Sequence, residues 1–211
     1  MGGKEPVWHR NVITPRDERT LEDLSRTGIL SQFYLAGGTG LALHLGHRRS
    51  RDLDFFSIDP VDPDAIIQKI QTIGGFSVVS QGAETLHTVI QGIKVSFLGY
   101  TYPVLFPFDL FLQVNVADPR DIAGMKISAI AGRGTKRDFV DLYTVSRQYG
   151  FNQVLEWFKQ KFTRVNYNTV HILKSLTYFE EAEKDPMPDM LIPLSWEEVK
   201  QFFSSEVLRL S

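Results

Sequence analysis

The run GGTGLALHLGHRRSRDLDFFS, Gly37–Ser57, concentrates flexible backbone, cationic side chains and a pair of carboxylates. Asp52 and Asp54 are separated by one leucine in RDLDFFS, whose polar and apolar residues alternate as in a strand buried on one face. At strand spacing the two aspartates share a face, while Leu53 and Phe55 turn to the other side and into a core. Like carboxylates that close repel one another, and a divalent cation offsets that cost. Mg2+ suits the pair, because it takes hard oxygen ligands and usually binds one or two carboxylates together with substrate phosphates. Ahead of them, Gly37-Gly38-Thr39 reads as a turn at a helix N-terminus. The free N–H groups there suit phosphate oxygens, and glycine lets a phosphate approach the backbone. His47, Arg48, Arg49 and Arg51 can add phosphate contacts or hold a second, anionic substrate. Each feature alone has an ordinary reading: a Gly-Gly turn, a solvated strand end, a solvated basic loop. Their order, strand–GG[T]–helix–basic loop–D-h-D-h strand, points to a site for a triphosphate and its metal.

The surrounding sequence must supply the elements that position these groups. TPRDERTLEDL reads as the start of a helix over Thr14–Gly28, with Thr14 as N-cap and Pro15 in the first helical position. QFYLAG, Gln32–Gly37, reads as a short strand, Thr39–Leu45 as a short helix, and DPDAIIQKIQTIG as a helix from Asp62 or Pro63 to Gly74. FSVVS, TLHTVIQ and IKVSFLGY read as three strands, the last two joined by a hairpin-like turn at Gln91-Gly92. From Asp118 the pattern becomes helical: DPRDIAGMKISAIAGR, KRDFVDLYTVSRQYG, NQVLEWFKQKF, YNTVHILKSLTYFEEAEK and SWEEVKQFFSSEVLRL. DPMPDMLIP, Asp185–Pro193, with its three prolines, is a linker or wrap-around segment. The expectation is an α/β part over residues 1–117 and a helical part over 118–211, with a soft boundary at Asn115–Pro119.

Composition narrows the class. The 211 residues are 43% hydrophobic, enough for a sizeable core, and carry a net charge of −2, so nothing global demands a nucleic-acid partner. The absence of cysteine excludes disulfides and thiolate metal sites. MGGKEPVWHR has no apolar signal-peptide region and no run is long enough to span a membrane, so a soluble cytoplasmic protein is expected. Charge is uneven: Arg120–Lys174 holds ten Lys/Arg against four Asp/Glu, and Glu180–Ser211 holds eight acids against three bases. Ordinary helix faces account for this, as would a basic surface for a polyanion with an acidic segment beyond it.

The order of the first motif resembles the nucleotidyltransferase superfamily pattern, hG[G/S], a helix, then [D/E]h[D/E]h. LAGGTGLALHLGHRRSRDLDFFS is similar to the version found in the AbiEii/AbiGii toxin family. DIAGMKISAIAGRGTKRDFVDLY, Asp121–Tyr143, is similar to that family's downstream motif of a lysine on a helix followed by R-G-x-K-x-D-F-x-D-L-Y. The resemblance spans Phe33–Tyr143. It implies an α+β fold, a mixed β-sheet with flanking helices followed by a C-terminal helical bundle. It also implies that Gly37, Gly38 and Thr39 cradle nucleotide phosphates, that Asp52 and Asp54 hold Mg2+, that Lys126 contacts phosphates or base, and that Asp138 or Asp141 completes the site. Arg133 lies seven residues after Lys126 on the same helix face and joins the nucleotide-binding candidates with Arg48 and Arg51. Asp138 also reads as a helix N-terminal carboxylate beside the macrodipole, and Asp141 as an i,i+4 partner of Arg137.

The activity implied is transfer of an NMP from an NTP to an acceptor hydroxyl, with tRNA one acceptor and a small molecule another, in the toxin of a toxin–antitoxin or phage-defence system, with an antitoxin protein as partner. One position departs from the superfamily. A third carboxylate is common on a later strand, where it assists the metal and deprotonates the acceptor. Here the matching position holds Ser96, and no Asp or Glu lies between Ile93 and Tyr102. Either another group, with Asp141 as one candidate, takes that proton, or the chain is a nucleotide-binding module that has lost turnover. His44, His87 and His171 have no metal-ligand spacing and read as satisfied core or surface histidines. Trp157 and Phe158 beside Lys159 and Lys161 could stack a base, or form half of a core.

Overall fold

The computed structural model describes residues 6–210. The chain divides into two compact units, Met1–Pro103 with Pro107–Asp118, and Val104–Phe106 with Pro119–Ser211.

In the first unit, the opening helix α1, Pro15–Arg26, is fixed by a capping box. Thr14 Oγ1 accepts from the Asp17 N–H at 3.3 Å, and Asp17 Oδ2 accepts from the Thr14 N–H at 2.6 Å. Gly28, at φ +71, turns the chain into a 3-10 segment at Ile29–Gln32, so α1 ends before the expected Gly28. There follow β1 Tyr34–Leu35, α2 Gly37–Leu45, β2 Asp52–Ser57, α3 Pro63–Ile70, β3 Phe76–Gln81, β4 Thr85–Ile90, β5 Ile93–Gly99, β6 Asp109–Phe111 and β7 Val114–Val116. Helix α3 stops earlier than expected, with Gln71 as its C-cap.

The strands form one mixed sheet in the order β3-β4-β5-β2-β1-β7-β6. β2 runs parallel to β5 and β1 parallel to β7, and the other neighbours are antiparallel. Gln91 and Gly92 both have positive φ, 52° and 82°, the signature of a two-residue hairpin whose twist matches its strands. The β6–β7 hairpin was not anticipated. Its turn uses Leu112 and Gln113 at φ 48° and 65°, residues that carry no turn signal. Leu53, Phe55, Leu86, Ile90 and Phe97 are fully buried on one sheet face. There Phe97 stacks on Phe55 at 5.6 Å and meets Phe33 edge-on at 5.2 Å. Asp52 and Asp54 alternate with these residues and stay half-buried on the opposite face.

The second unit is helical: α4 Pro119–Gly132, α5 Lys136–Tyr149, α6 Phe151–Lys161, α7 Thr169–Ser175, α8 Glu180–Glu183 and α9 Trp196–Leu208. Thr135, Asn168 and Ser195 cap α5, α7 and α9. The single helix expected over YNTVHILKSLTYFEEAEK is broken into α7 and α8. Both the N–H and the hydroxyl of Thr177 bond the Lys174 carbonyl, an i→i+3 closure that ends the α-helical ladder. Phe139 is fully buried among Phe179, Trp196 and Phe203. Asp185, at the start of the proline-rich segment, is pinned to the first turn of α5. Its carbonyl accepts from Lys136 Nζ at 2.6 Å and its carboxylate from the Lys136 N–H at 3.1 Å. Among the described residues no helix is long and apolar enough to cross a membrane.

Candidate functional site

In the first unit the glycines are not a turn before a helix but the first turn of α2 itself. Ala36 is its N-cap and provides no side-chain cap. The first intrahelical bond runs from Gly40 N–H to the Ala36 carbonyl at 3.1 Å, so the N–H groups of Gly37, Gly38 and Thr39 precede the ladder. Gly37 has φ +62, and a Cβ there would lie 3.1 Å from Asp54 Oδ2. The backbone is therefore laid against the Asp54 carboxylate in a conformation that favours glycine. A Cβ on Gly38 would fall 2.3 Å from Arg48 Nη2.

Thr39 and Arg48 brace this turn from within. Thr39 is buried; its Oγ1 lies 2.7 Å from Ser50 Oγ and bonds the Asp52 carbonyl, tying α2 to the start of β2. Arg48 is also buried and donates to the Arg49 carbonyl at 3.0 Å. Arg51 is exposed. It borders a surface pocket of about 670 Å3 that also takes in Arg16 and Arg19 of α1, Asp52, and Lys94 of β5. Four cationic side chains thus line the pocket against two carboxylates, Asp17 and Asp52, a net positive setting that favours an anion.

The parallel pairing of β2 and β5 sets Asp52 opposite Lys94 and Asp54 opposite Ser96. The antiparallel pairing of β4 and β5 then sets Ser96 opposite His87, whose Nδ1 is 3.1 Å from Ser96 Oγ. Among the described residues no group of three His, Cys, Asp or Glu side chains converges as a metal site. Two carboxylates on one face, without a third, fit a cation that completes its shell with substrate phosphates and water.

The second unit holds a separate group. Lys126 of α4 is buried, with Nζ 2.8 Å from Asp138 Oδ1 and 2.7 Å from Asp141 Oδ2. Asp141 thus pairs with Lys126. Thr135 donates to Asp138 Oδ2, and Arg133 Nε stands 3.7 Å from that oxygen. Burial raises the Asp138 pKa, but the Lys126 charge and the hydrogen bonds from Lys126 and Thr135 outweigh it and hold the carboxyl below its usual range, with Asp141 pushing back. Lys161 is likewise buried, 2.7 Å from Asp121 Oδ1; burial lowers its pKa and Asp121 opposes the shift. Trp157 and Phe158 belong to the core, so the base-stacking platform is not there. His44 is half-buried and bonded to the Ala117 carbonyl, and burial lowers its pKa.

The candidates therefore form two groups: Gly37, Gly38, Thr39, Arg48, Arg51, Asp52 and Asp54 in the first unit, and Lys126, Arg133, Asp138 and Asp141 in the second. Sequence reasoning did not pair His87 with Ser96, although the two-residue turn at Gln91-Gly92 fixes that register. Nor did it bring in Arg16, Arg19 and Lys94, which come from distant parts of the chain.

Comparison with known proteins adds to this geometry. A family model described as nucleotidyl transferase AbiEii toxin, type IV toxin–antitoxin system, matches residues 19–107 and 97–208. A protein of Aquifex aeolicus (strain VF5), described as uncharacterized protein aq_aa25, is 38% identical over 201 residues, 92% of this chain and 96% of its own length. The solved structure of MenT4, a nucleotidyltransferase toxin from Mycobacterium tuberculosis H37Rv, is similar with a TM-score of 0.54 at 17% identity, over 93% of this chain and 86% of that one. JHP933 from Helicobacter pylori is similar with a TM-score of 0.52 at 14% identity, over 93% and 92% of the two chains. At these identities the two structures speak to the fold, a mixed sheet with flanking helices and a helical second part.

Proposed function

Because the chain belongs to the AbiEii nucleotidyltransferase toxin family, we propose that it binds an NTP on the Gly37–Thr39 turn and transfers the NMP to an acceptor hydroxyl in the cytoplasm. The observation that carries this reading is the close approach of the Gly37 backbone to the Asp54 carboxylate, where an added Cβ would lie 3.1 Å from Oδ2. It puts N–H groups suited to phosphate oxygens beside a group suited to the cation that travels with a triphosphate. Asp52 and Asp54 would hold Mg2+, which supplies neutralisation of charge on the transferring phosphate and on the leaving pyrophosphate. Thr39 and Arg48 keep the turn in shape. Arg51, with Arg16, Arg19 and Lys94, offers the cationic contacts that the phosphates of an RNA acceptor such as tRNA need. By the family resemblance, Lys126 and Asp141 are proposed as catalytic residues and Arg133 and Asp138 as nucleotide-binding ones. A phosphate that recruits the Lys126 ammonium must first displace Asp138 or Asp141 from it. The family description implies an antitoxin protein as partner.

A second reading has one observation in its favour: Ser96 occupies the strand position where a third carboxylate would assist, and a chain that binds nucleotide without turnover would show that. One experiment separates the two. The protein is incubated with Mg2+, each α-labelled NTP in turn and total tRNA, beside Asp54→Ala. Label on RNA that disappears in the variant supports transfer. Metal-dependent nucleotide binding without label or pyrophosphate release supports the binding module. Full activity of Asp54→Ala overturns the site.

A further inference from the structure

The sheet places three polar side chains in a row across β2, β5 and β4: Asp54 opposite Ser96, and Ser96 opposite His87. Strand partners in register project to the same face, and all three are half-buried on the face away from the apolar core. Ser96 Oγ is 3.1 Å from His87 Nδ1, so the hydroxyl and the imidazole form a hydrogen-bonded pair whose serine end lies beside Asp54. We propose that this pair removes the proton that the acceptor hydroxyl loses during transfer, an inference that rests on the transfer reading above.

A serine hydroxyl alone is no base, because it has no tendency to keep a second proton. It can accept a hydrogen bond from one partner while donating to another, and histidine takes up a proton near neutrality. In the step, the acceptor oxygen attacks the α-phosphorus and a new O–P bond forms. The bond from that phosphorus to the bridging oxygen of the β-phosphate breaks, and pyrophosphate leaves with the electron pair. The acceptor proton passes to Ser96 Oγ as the Ser96 proton passes to His87 Nδ1. Charge and atoms balance, and no co-reactant is needed. Ser96 is the group that meets the acceptor, and His87 acts through it. This accounts for a serine where a carboxylate is common: the base has moved one strand further from Asp54, and the serine spans the gap. It also gives the site a single negative charge fewer than a three-carboxylate set, leaving the basic groups beside Asp52 to act on the substrate.

The test uses Ser96→Ala, His87→Asn, Ser96→Asp and the double variant Ser96→Asp/His87→Asn in the same labelled-NTP and tRNA assay, with Asp54→Ala alongside. Asparagine can accept the Ser96 hydrogen bond through its side-chain oxygen but cannot take the proton, so a merely structural cross-strand bond survives that change. Expected are losses of about 100-fold or more in transfer rate for Ser96→Ala and His87→Asn, the usual span for a missing base, with nucleotide binding unchanged. The double variant, which restores a carboxylate beside Asp54, should recover transfer relative to His87→Asn alone. Wild-type rates in His87→Asn, or a double variant as slow as His87→Asn, overturn the inference and leave the transfer reading standing. A silent wild type with an active Ser96→Asp also overturns it, since the pair then fails to replace the carboxylate. Silence in both wild type and Ser96→Asp removes the transfer reading and this inference together.

Discussion

Replacing Lys126 by methionine tests the second group of candidates without any assumption about substrate. Methionine keeps most of the side-chain length and removes the ammonium. What remains is two carboxylates, Asp138 and Asp141, whose side chains are 3% and 0% exposed. Breaking a buried ion pair by deleting one partner costs about 3–5 kcal/mol, mostly because the surviving charge is stranded away from water. Asp138 keeps the Thr135 hydrogen bond and Arg133 at 3.7 Å, which holds the cost within that range although two acids lose the cation. With about 2–4 °C lost per kcal/mol in a chain of this size, melting should drop by about 6–20 °C.

The pH dependence carries the sign. In the wild type the Asp138 pKa lies below its usual range because Lys126 and its hydrogen bonds overcome burial. That pairing therefore stabilises the fold above the unfolded carboxyl pKa, and the contribution is lost as pH falls through the depressed folded value. In the variant the Lys126 attraction is gone and burial weighs more heavily against the charged form, which raises the Asp138 pKa relative to the wild type. Protonation then relieves the penalty, so the gap between wild type and variant should narrow as pH falls from neutral into the carboxyl range. Urea titration followed by circular dichroism over that range measures it. A loss below about 1 kcal/mol at neutral pH, the size of an exposed pair, or a gap that does not narrow, refutes the account of a buried cation shared by two acids.

Other expected outcomes concern the first unit. Gly37→Ala and Gly28→Ala both force alanine into positive φ, +62° and +71°, and each should lower stability by about 1–2 kcal/mol. Only Gly37 faces Asp54, since a Cβ on Gly28 meets nothing within 4 Å, so only Gly37→Ala should also cut transfer; equal activity in the two variants would detach the turn from the site. Arg16→Ala/Arg19→Ala should weaken transfer to RNA while sparing NTP binding, and it should flatten the salt dependence of RNA binding. An unchanged salt slope would take the acceptor away from that pocket.

Local signals made several elements legible. Thr14-Pro15 followed by Asp17 marks α1, and the alternation in RDLDFFS marks β2 and the face on which its aspartates lie. Where local signals were silent, reading failed. Leu112-Gln113 makes a hairpin with two non-glycine residues at positive φ, a conformation that β6 and β7 hold and that their own sequence does not announce. The break between α7 and α8 depends on Thr177 turning both its donors back to one carbonyl, a choice that helical periodicity cannot register. Arg48 reads as one more solvated arginine because nothing in HRRSR distinguishes the side chain that folds inward against Gly38 from those that point out.

The pairing of His87 with Ser96 belongs between these cases, because it follows from a feature that the sequence does display. A two-residue turn at Gln91-Gly92 makes Ile90 and Ile93 partners, and each step away from the turn pairs the next two residues, so Val89 meets Lys94, Thr88 meets Val95 and His87 meets Ser96. The remaining step, from Ser96 to Asp54, cannot be taken that way. β2 and β5 are parallel strands joined through a helix and a hairpin, and their register is fixed by burying Leu53 and Phe55 with Val95 and Phe97, which a one-residue slip would turn out to solvent. The same burial that aligns those four side chains on one face aligns Asp54 and Ser96 on the other. The core therefore sets the spacing between the proposed metal ligand and the proposed proton path. A substitution such as Phe97→Ala, on the far side of the sheet, should cost about 3–5 kcal/mol in stability. It should also reduce transfer by disturbing the Asp54–Ser96 register, an effect visible as a loss of rate in protein that remains folded at low temperature. Undiminished transfer in that folded variant would show that the row does not depend on the packing beneath it.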